Sequence, residues 1–512
     1  MSSGQGLFRG CEMNIVAPPG VVAPDFHSVV TGRKARKFCT DMLAWLDQKT
    51  EIVEHSDQAR QFFEPAHAAY YNGRPGQPLK LMLQARSDFL SIWRRGDYRE
   101  HVAEFKLFGR QLIIVNSPDA IRYVVAKRHE NFERKTPQMR RALEHLLGDG
   151  LFISDKETWK QRRPLVSDIV HKNRVPAFGA IMQSTASELA DRWQSLGEGA
   201  EVNALFEMAG LTAEIISRSV FGNDLGEESA NAVTEGFASY QALVDSINLG
   251  YFLGFDDGLP IVKTPSLRRS VKRIHRIIDQ VIEDHLAGKG DNSSMVELLI
   301  RRQKRNPELK LDVVALRNEA ATIFMAGHET TAATLTWAWY LLAGAAWVEA
   351  AVHAEIEAVC GDRVPSIDDV AKLDWCRAVI EETLRLYPPV PILARQAAEA
   401  DEIGGVKVRK AALVLIVPWI LHRTETLFPE PHRFHPERFL GEGRPTPYSY
   451  IPFAAGPRVC PGLQFGLTEA ILCLAIVAQR FRVRVKEGHR VQPQCRLTLR
   501  PRGGMPVTLH RR

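Results

Sequence analysis

One stretch, Phe453-Ala454-Ala455-Gly456-Pro457-Arg458-Val459-Cys460-Pro461-Gly462, constrains this chain more than any other. It sets a single cysteine in a loop dense in glycine and proline, just before an apolar run from Leu463 to Val477 that reads as a helix. Gly456, Pro457, Pro461 and Gly462 restrict the backbone on both sides of the sulfur. Arg458 places a cation two residues away, which favours thiolate over thiol, and the positive end of the following helix acts in the same sense. A lone thiolate suits a soft metal-ligand role and is wrong for structural zinc, which is closed by several protein donors. The plain alternative is a buried, inert cysteine at a helix start.

Composition excludes several classes. The formal charge of +6 over 512 residues is modest, and no basic stripe interleaved with aromatics marks a nucleic-acid surface. A slightly basic enzyme could instead offer a docking face to an acidic electron-transfer protein. The seven cysteines stand singly, with no C-x-x-C pair, and the odd count fits a reducing compartment better than a disulfide framework. No apolar run of about 18 residues and no charged-then-apolar leader opens the chain. The expectation is a cytoplasmic enzyme without a membrane anchor.

Other positions carry chemistry on the spacing of their residues. Trp159 and Arg163 are four apart and share a helix face. A long helix is expected from Asp312 to Leu342, with Ala326-Gly327-His328-Glu329-Thr330-Thr331 at its middle. Glycine costs about 1 kcal/mol in a helix interior, and threonine can bond back to the preceding turn. Such a weak point suggests that something must fit against the backbone; a packing glycine is the plain alternative. Glu382 and Arg385, three apart, would ordinarily be a surface ion pair worth under about 1 kcal/mol.

The rest is organisation. Residues 1–78 read as an extension and linker, with a basic cluster Arg33-Lys34-Ala35-Arg36-Lys37 and short helices over Ala44–Glu54 and Gln58–Tyr71. Phe105 to Val115 reads as a hairpin turning at Gly109-Arg110, and Asn116-Ser117-Pro118 caps a helix through Val124. Residues 180–305 are amphipathic helices broken near Gly222-Asn223, Gly250 to Pro260 and Gly288-Lys289-Gly290. Ala412 to Val417 reads as a strand.

The cysteine loop is similar, at every fixed position, to the haem-binding signature of the cytochromes P450, Phe-x-x-Gly-x-Arg-x-Cys-x-Gly. The central helix resembles that family's oxygen-binding motif. Glu382 and Arg385, followed by Tyr387-Pro388-Pro389, resemble its Glu-x-x-Arg helix, and Phe434 to Phe439 its second arginine segment. The resemblance covers residues 79–512 and implies a mainly α fold with a small β-region around haem b. By that resemblance Cys460 is the thiolate ligand of the haem iron, Phe453 would pack against the sulfur side of the macrocycle, and Gly462 would also bind the cofactor. Trp159, Arg163, Arg395 and Arg458 would bind propionates. Glu329 and Thr330 would relay protons to bound O₂, Gly327 would open the oxygen groove, and Ala326 would face haem and substrate. His328 would point away from the iron, and Arg162 is a weaker propionate candidate than Arg163. Glu382, Arg385 and Arg438 would lock the core behind the cysteine loop, while Val390, Ile392, Leu393 and Leu497 would touch substrate. The implied activity is insertion of one oxygen atom from O₂ into a hydrophobic small molecule such as a fatty acid, terpenoid or steroid. Electrons would come from NAD(P)H through a separate ferredoxin or flavodoxin and its reductase, to a monomeric enzyme. Two rivals are a peroxide-using or rearranging haem-thiolate enzyme and a non-catalytic haem sensor. The intact acid–threonine pair speaks against both.

Overall fold

The computed structural model describes residues 62–72, 78–107, 109–222, 236, 240, 265–309, 311–441, 443–495 and 497–512. The basic cluster at Arg33–Lys37, the helix over Ala44–Glu54, most of the linker and the break at Gly250 to Pro260 lie outside the described residues. From Phe62 to Arg512 the chain is one compact unit, its described residues mostly helical with four small sheets.

β1 (Val102–Leu107) pairs antiparallel with β2 (Arg110–Val115) across the turn at Gly109. Gly109 has φ of +80°, which a residue with a Cβ adopts only under strain. β3 (Leu393–Gln396) and β4 (Leu413–Ile416) complete this sheet in the order β1-β2-β4-β3. β4 is buried along its whole length, which its unbroken apolar sequence foretells. Near the C-terminus β5 (Pro493–Cys495) and β6 (Leu499–Pro501) form an antiparallel hairpin.

Several helices frame the central cavity, five of which carry the site. These are α1 (Lys156–Ile169), α2 (Ala204–Phe221), α3 (Val313–Gly344), α4 (Asp374–Leu386) and α5 (Leu463–Arg480). Asp312 caps α3, its carboxylate accepting from Ala315 N at 2.7 Å. α3 is apolar nearly all round and runs through the core. α5 is long and apolar enough to cross a membrane, yet an unbroken run from Glu469 to Ala478 is buried in the protein. Helix breaks expected near Gly222 and Gly288 are present after Phe221 and Leu286.

The helix expected over Gln58–Tyr71 is not seen in its described part, residues 62–71, which are not helical. Tertiary hydrogen bonds occupy its backbone instead. Ala66 N donates to Tyr340 Oη at 3.0 Å and Ala66 O accepts from Tyr387 Oη at 2.6 Å. Phe63 O accepts from Phe434 N at 3.0 Å, and Tyr71 N donates to Trp93 O at 2.8 Å. Backbone groups committed to other elements cannot also form an i→i−4 ladder.

Candidate active site

The cysteine loop and the middle of α3 face each other across a cavity of about 300 Å³. On one wall, Cys460 N donates to Phe453 O at 2.9 Å, closing the loop on itself. Gly456 has φ of +71°, and a Cβ there would lie 2.0 Å from Val125 O, so only glycine fits. Phe453, Cys460 and Gly462 all line the cavity. Burial pushes the Cys460 thiol pKa up, while the Gly462 backbone N–H and the charge of Arg163 act against it.

That cation is not the one the sequence suggested. Arg458 Nη1 donates to Ser154 O at 2.8 Å, Nη2 pairs with Glu133 at 3.1 Å, and the guanidinium lies 4.2 Å from the Trp159 ring centroid. With its charge compensated by Glu133, Arg458 braces the cavity edge. Arg163, on α1, is the cation that acts on the sulfur. Adjacent Arg162 turns towards α3, its Nε 4.0 Å from Glu319.

Lys135, Trp159, Arg163, Arg395 and Arg458 line the same cavity. Burial, then Arg458, lowers the Arg395 pKa to about 10. Burial, followed by Arg395 and Arg458, pushes Lys135 well below the usual lysine value. Among the described residues, Lys135, Arg163 and Arg395 have no carboxylate partner. Positive charge gathered at the edge of an apolar cavity is costly unless compensated, so the site suits an anionic guest. A thiol on one wall, apolar surface between, and uncompensated cations at one edge fit haem b, an apolar macrocycle with two carboxylates. Lys135 was not singled out from sequence, since Glu133-Arg134-Lys135 reads as an ordinary solvated run.

On the opposite wall α3 presents Ala326, Gly327, Glu329 and Thr330. Thr330 Oγ1 donates back to Ala326 O at 2.7 Å. Glu329 is buried, and its Oε1 accepts from the Thr498 hydroxyl and from Arg500 Nη2. Neither partner was anticipated, because they lie about 170 residues further on. A Cβ on Gly327 would lie 2.8 Å from Ile216 Cδ1, so α2 as well as the cavity demands glycine there. His328 does not line the cavity, and its ring lies 5.9 Å from that of Phe324 at an interplanar angle of 43°. Burial, then Arg500, lowers its pKa to about 4.

A further acid was also missed. Glu469, on α5, reaches the cavity wall, and Thr331 Oγ1 donates to its Oε2 at 3.3 Å. Its Oε1 has no hydrogen-bond partner among the described residues, and burial raises its carboxyl pKa to about 8. The only clue was an acid inside an otherwise apolar run, Leu463 to Val477.

The Glu382–Arg385 pair is fully buried, contrary to the ordinary surface reading. Arg385 donates to Glu382 from Nε at 2.7 Å and Nη2 at 2.8 Å, and to the carbonyls of His422, Pro431 and Arg433. Arg438 Nε is 3.6 Å from Glu382, which also accepts from His435 N at 2.9 Å. Val390, Ile392, Leu393 and Leu497 all line the cavity.

Comparison with known proteins gives a concordant result. Residues 83–506 match the Cytochrome P450 family. Cyclooctatin synthase of Streptomyces melanosporofaciens is 31% identical over 82% of this chain and 90% of its own. Cytokinin hydroxylase of Arabidopsis thaliana is 30% identical over 80% of this chain and 83% of its own. The crystal structure of the cytochrome P450DA heme domain superposes with a TM-score of 0.73 at 23% identity, covering 87% of this chain and 98% of that one. The chain belongs to the cytochrome P450 family, the haem-thiolate monooxygenases.

Proposed function

We propose that this enzyme hydroxylates or epoxidises a hydrophobic small molecule, with electrons reaching it from NAD(P)H through a separate ferredoxin or flavodoxin and its reductase. The observation that carries the substrate class is the cavity wall between Cys460 and Glu329–Thr330. Apart from the cations at one edge and a few hydroxyls and acids, it is built from side chains such as Met139, Leu143, Phe152, Ile216 and Ile323. A relative 29% identical over 67% of this chain and 74% of its own is named cyclooctat-9-en-7-ol 5-monooxygenase, which supports an apolar carbon skeleton as substrate. The five described cysteines are free, in keeping with a reducing cytoplasm.

Haem b, when bound, supplies the O₂-activating and oxygen-inserting chemistry. The chain holds and serves it. Cys460 Sγ would ligate its iron, and Lys135, Trp159, Arg163 and Arg395 would take its propionates, joined by the Arg458 Nε that Ser154 and Glu133 leave without a hydrogen-bond partner. Thr330 Oγ1 can leave the Ala326 carbonyl and hand its proton into the cavity, and Glu329 replenishes it. Val390, Ile392, Leu393 and Leu497 exclude water and orient the substrate.

The test is the spectrum of the dithionite-reduced protein under carbon monoxide, beside Cys460→Ala. A strongly red-shifted Soret band in the wild type, lost in the variant, is expected. The same spectrum in both proteins would remove Cys460 as ligand and the mechanism with it.

A further inference from the structure

Glu329 faces two ways. Its place beside Thr330 puts it on the cavity, yet its Oε1 is held by Thr498 and Arg500 on the C-terminal hairpin. Arg500 Nε also donates to Thr498 Oγ1 at 3.2 Å, so the three side chains form one closed cluster. Thr498 is at the same time cavity wall, next to Leu497. The backbone beyond it is fixed, because Leu499 N donates to Pro389 O at 3.0 Å and Leu499 O accepts from Trp337 Nε1 at 3.2 Å. An occupant pressing on Leu497 and Thr498 therefore displaces side chains rather than the hairpin.

We propose that Thr498 and Arg500 are positioning residues that clamp the Glu329 carboxylate until an occupant of the cavity displaces Thr498, coupling proton supply to pocket filling. The inference rests on the reading of Glu329 as the proton donor to Thr330. Clamped, the carboxylate is an acceptor facing a guanidinium, which favours its ionised form. Released, it takes one proton from bulk water and passes one to Thr330 Oγ1, which gives up its own. No electron moves through either group. An empty pocket thus throttles proton supply, and without substrate O₂ is consumed only at the slow rate at which Glu329 leaves the clamp unaided.

The experiment uses the haem-loaded full chain with a surrogate ferredoxin, its reductase and NADPH, with no organic substrate added. Ferredoxin is saturating, so that D₂O slows the wild type. Arg500→Gln should raise NADPH oxidation several-fold at unchanged haem content and shrink the D₂O effect, while Arg500→Lys keeps the wild-type rate. Thr498→Val should raise the rate less. Glu329→Gln should lower it by about 10-fold or more, and Arg500→Gln/Glu329→Gln should match Glu329→Gln. A rate in Arg500→Gln at or below wild type, or a rise that survives in the double variant, overturns the clamp. An unchanged rate in Glu329→Gln instead overturns the proton-donor reading. Should Arg500→Gln fail to load haem, Thr498→Val decides, and no rise there overturns the clamp.

Discussion

At Glu469 a carboxyl sits in the core with one oxygen unsatisfied, and its proton is the cheapest remedy. Burial holds its pKa at about 8 against an ordinary 4.5. Such an acid binds its proton more tightly folded than unfolded. Its penalty is absent below the unfolded value and grows as pH rises towards the folded one. Glu469→Gln should therefore leave the melting temperature nearly unchanged at pH 5 and raise it by several degrees at pH 8, read by thermal unfolding across pH. Lys135 gives the opposite kind of test. Lys135→Met should stabilise the haem-free protein by removing a cation without a carboxylate partner from the cavity edge. It should also speed haem loss, since a hydrogen bond to a charged group is worth about 1.5–3 kcal/mol. Haem transfer to apomyoglobin measures the second effect.

Between elements, α2 packs closely against α3. Thr212 Oγ1 donates to His328 O at 2.8 Å, tying the helices together one residue from Gly327. Gly327→Ala gains helix propensity of about 1 kcal/mol but overpacks against buried Ile216, which costs about 1–3 kcal/mol. A net loss near 1 kcal/mol in denaturant unfolding is expected, and Ile216→Val, which removes the clashing Cδ1, should cost less in the Gly327→Ala chain than in the wild type. A larger effect belongs to α4. Arg385→Ala strands buried Glu382 and three carbonyls, and breaking a buried pair costs about 3–5 kcal/mol. The expected outcome is loss of soluble, haem-loaded protein, read as the carbon monoxide difference signal per mole of chain.

For the molecule as a whole, the boundary of the folded body matters most. The non-helical segment 62–72 lies on the aromatic cluster of Trp337, Tyr340, Tyr387 and Trp419, with Trp337 and Tyr387 stacked at 3.9 Å. Gly344 makes room for Phe63, whose ring would lie 2.5 Å from a Cβ there. We propose that the functional body begins at Phe62. A chain starting at Leu79 should melt several degrees below one starting at Phe62, and equal melting temperatures would place the boundary later.

The sequence by itself determined the parts whose chemistry is local. The cysteine loop, the weak point at Gly327-His328-Glu329-Thr330, the Glu382–Arg385 spacing and the hairpin at Gly109 are each legible because turn conformation and helix-face spacing act within a few residues. Only the tertiary structure decided which charges meet. Arg163 acts on Cys460 while Arg458 is taken by Glu133, Arg500 crosses to Glu329, Lys135 joins the cavity edge, and Glu469 is buried beside Thr331. These depend on where distant segments pack, and the energy of a charge depends on its burial and on the neighbours it meets there, which no spacing along the chain records.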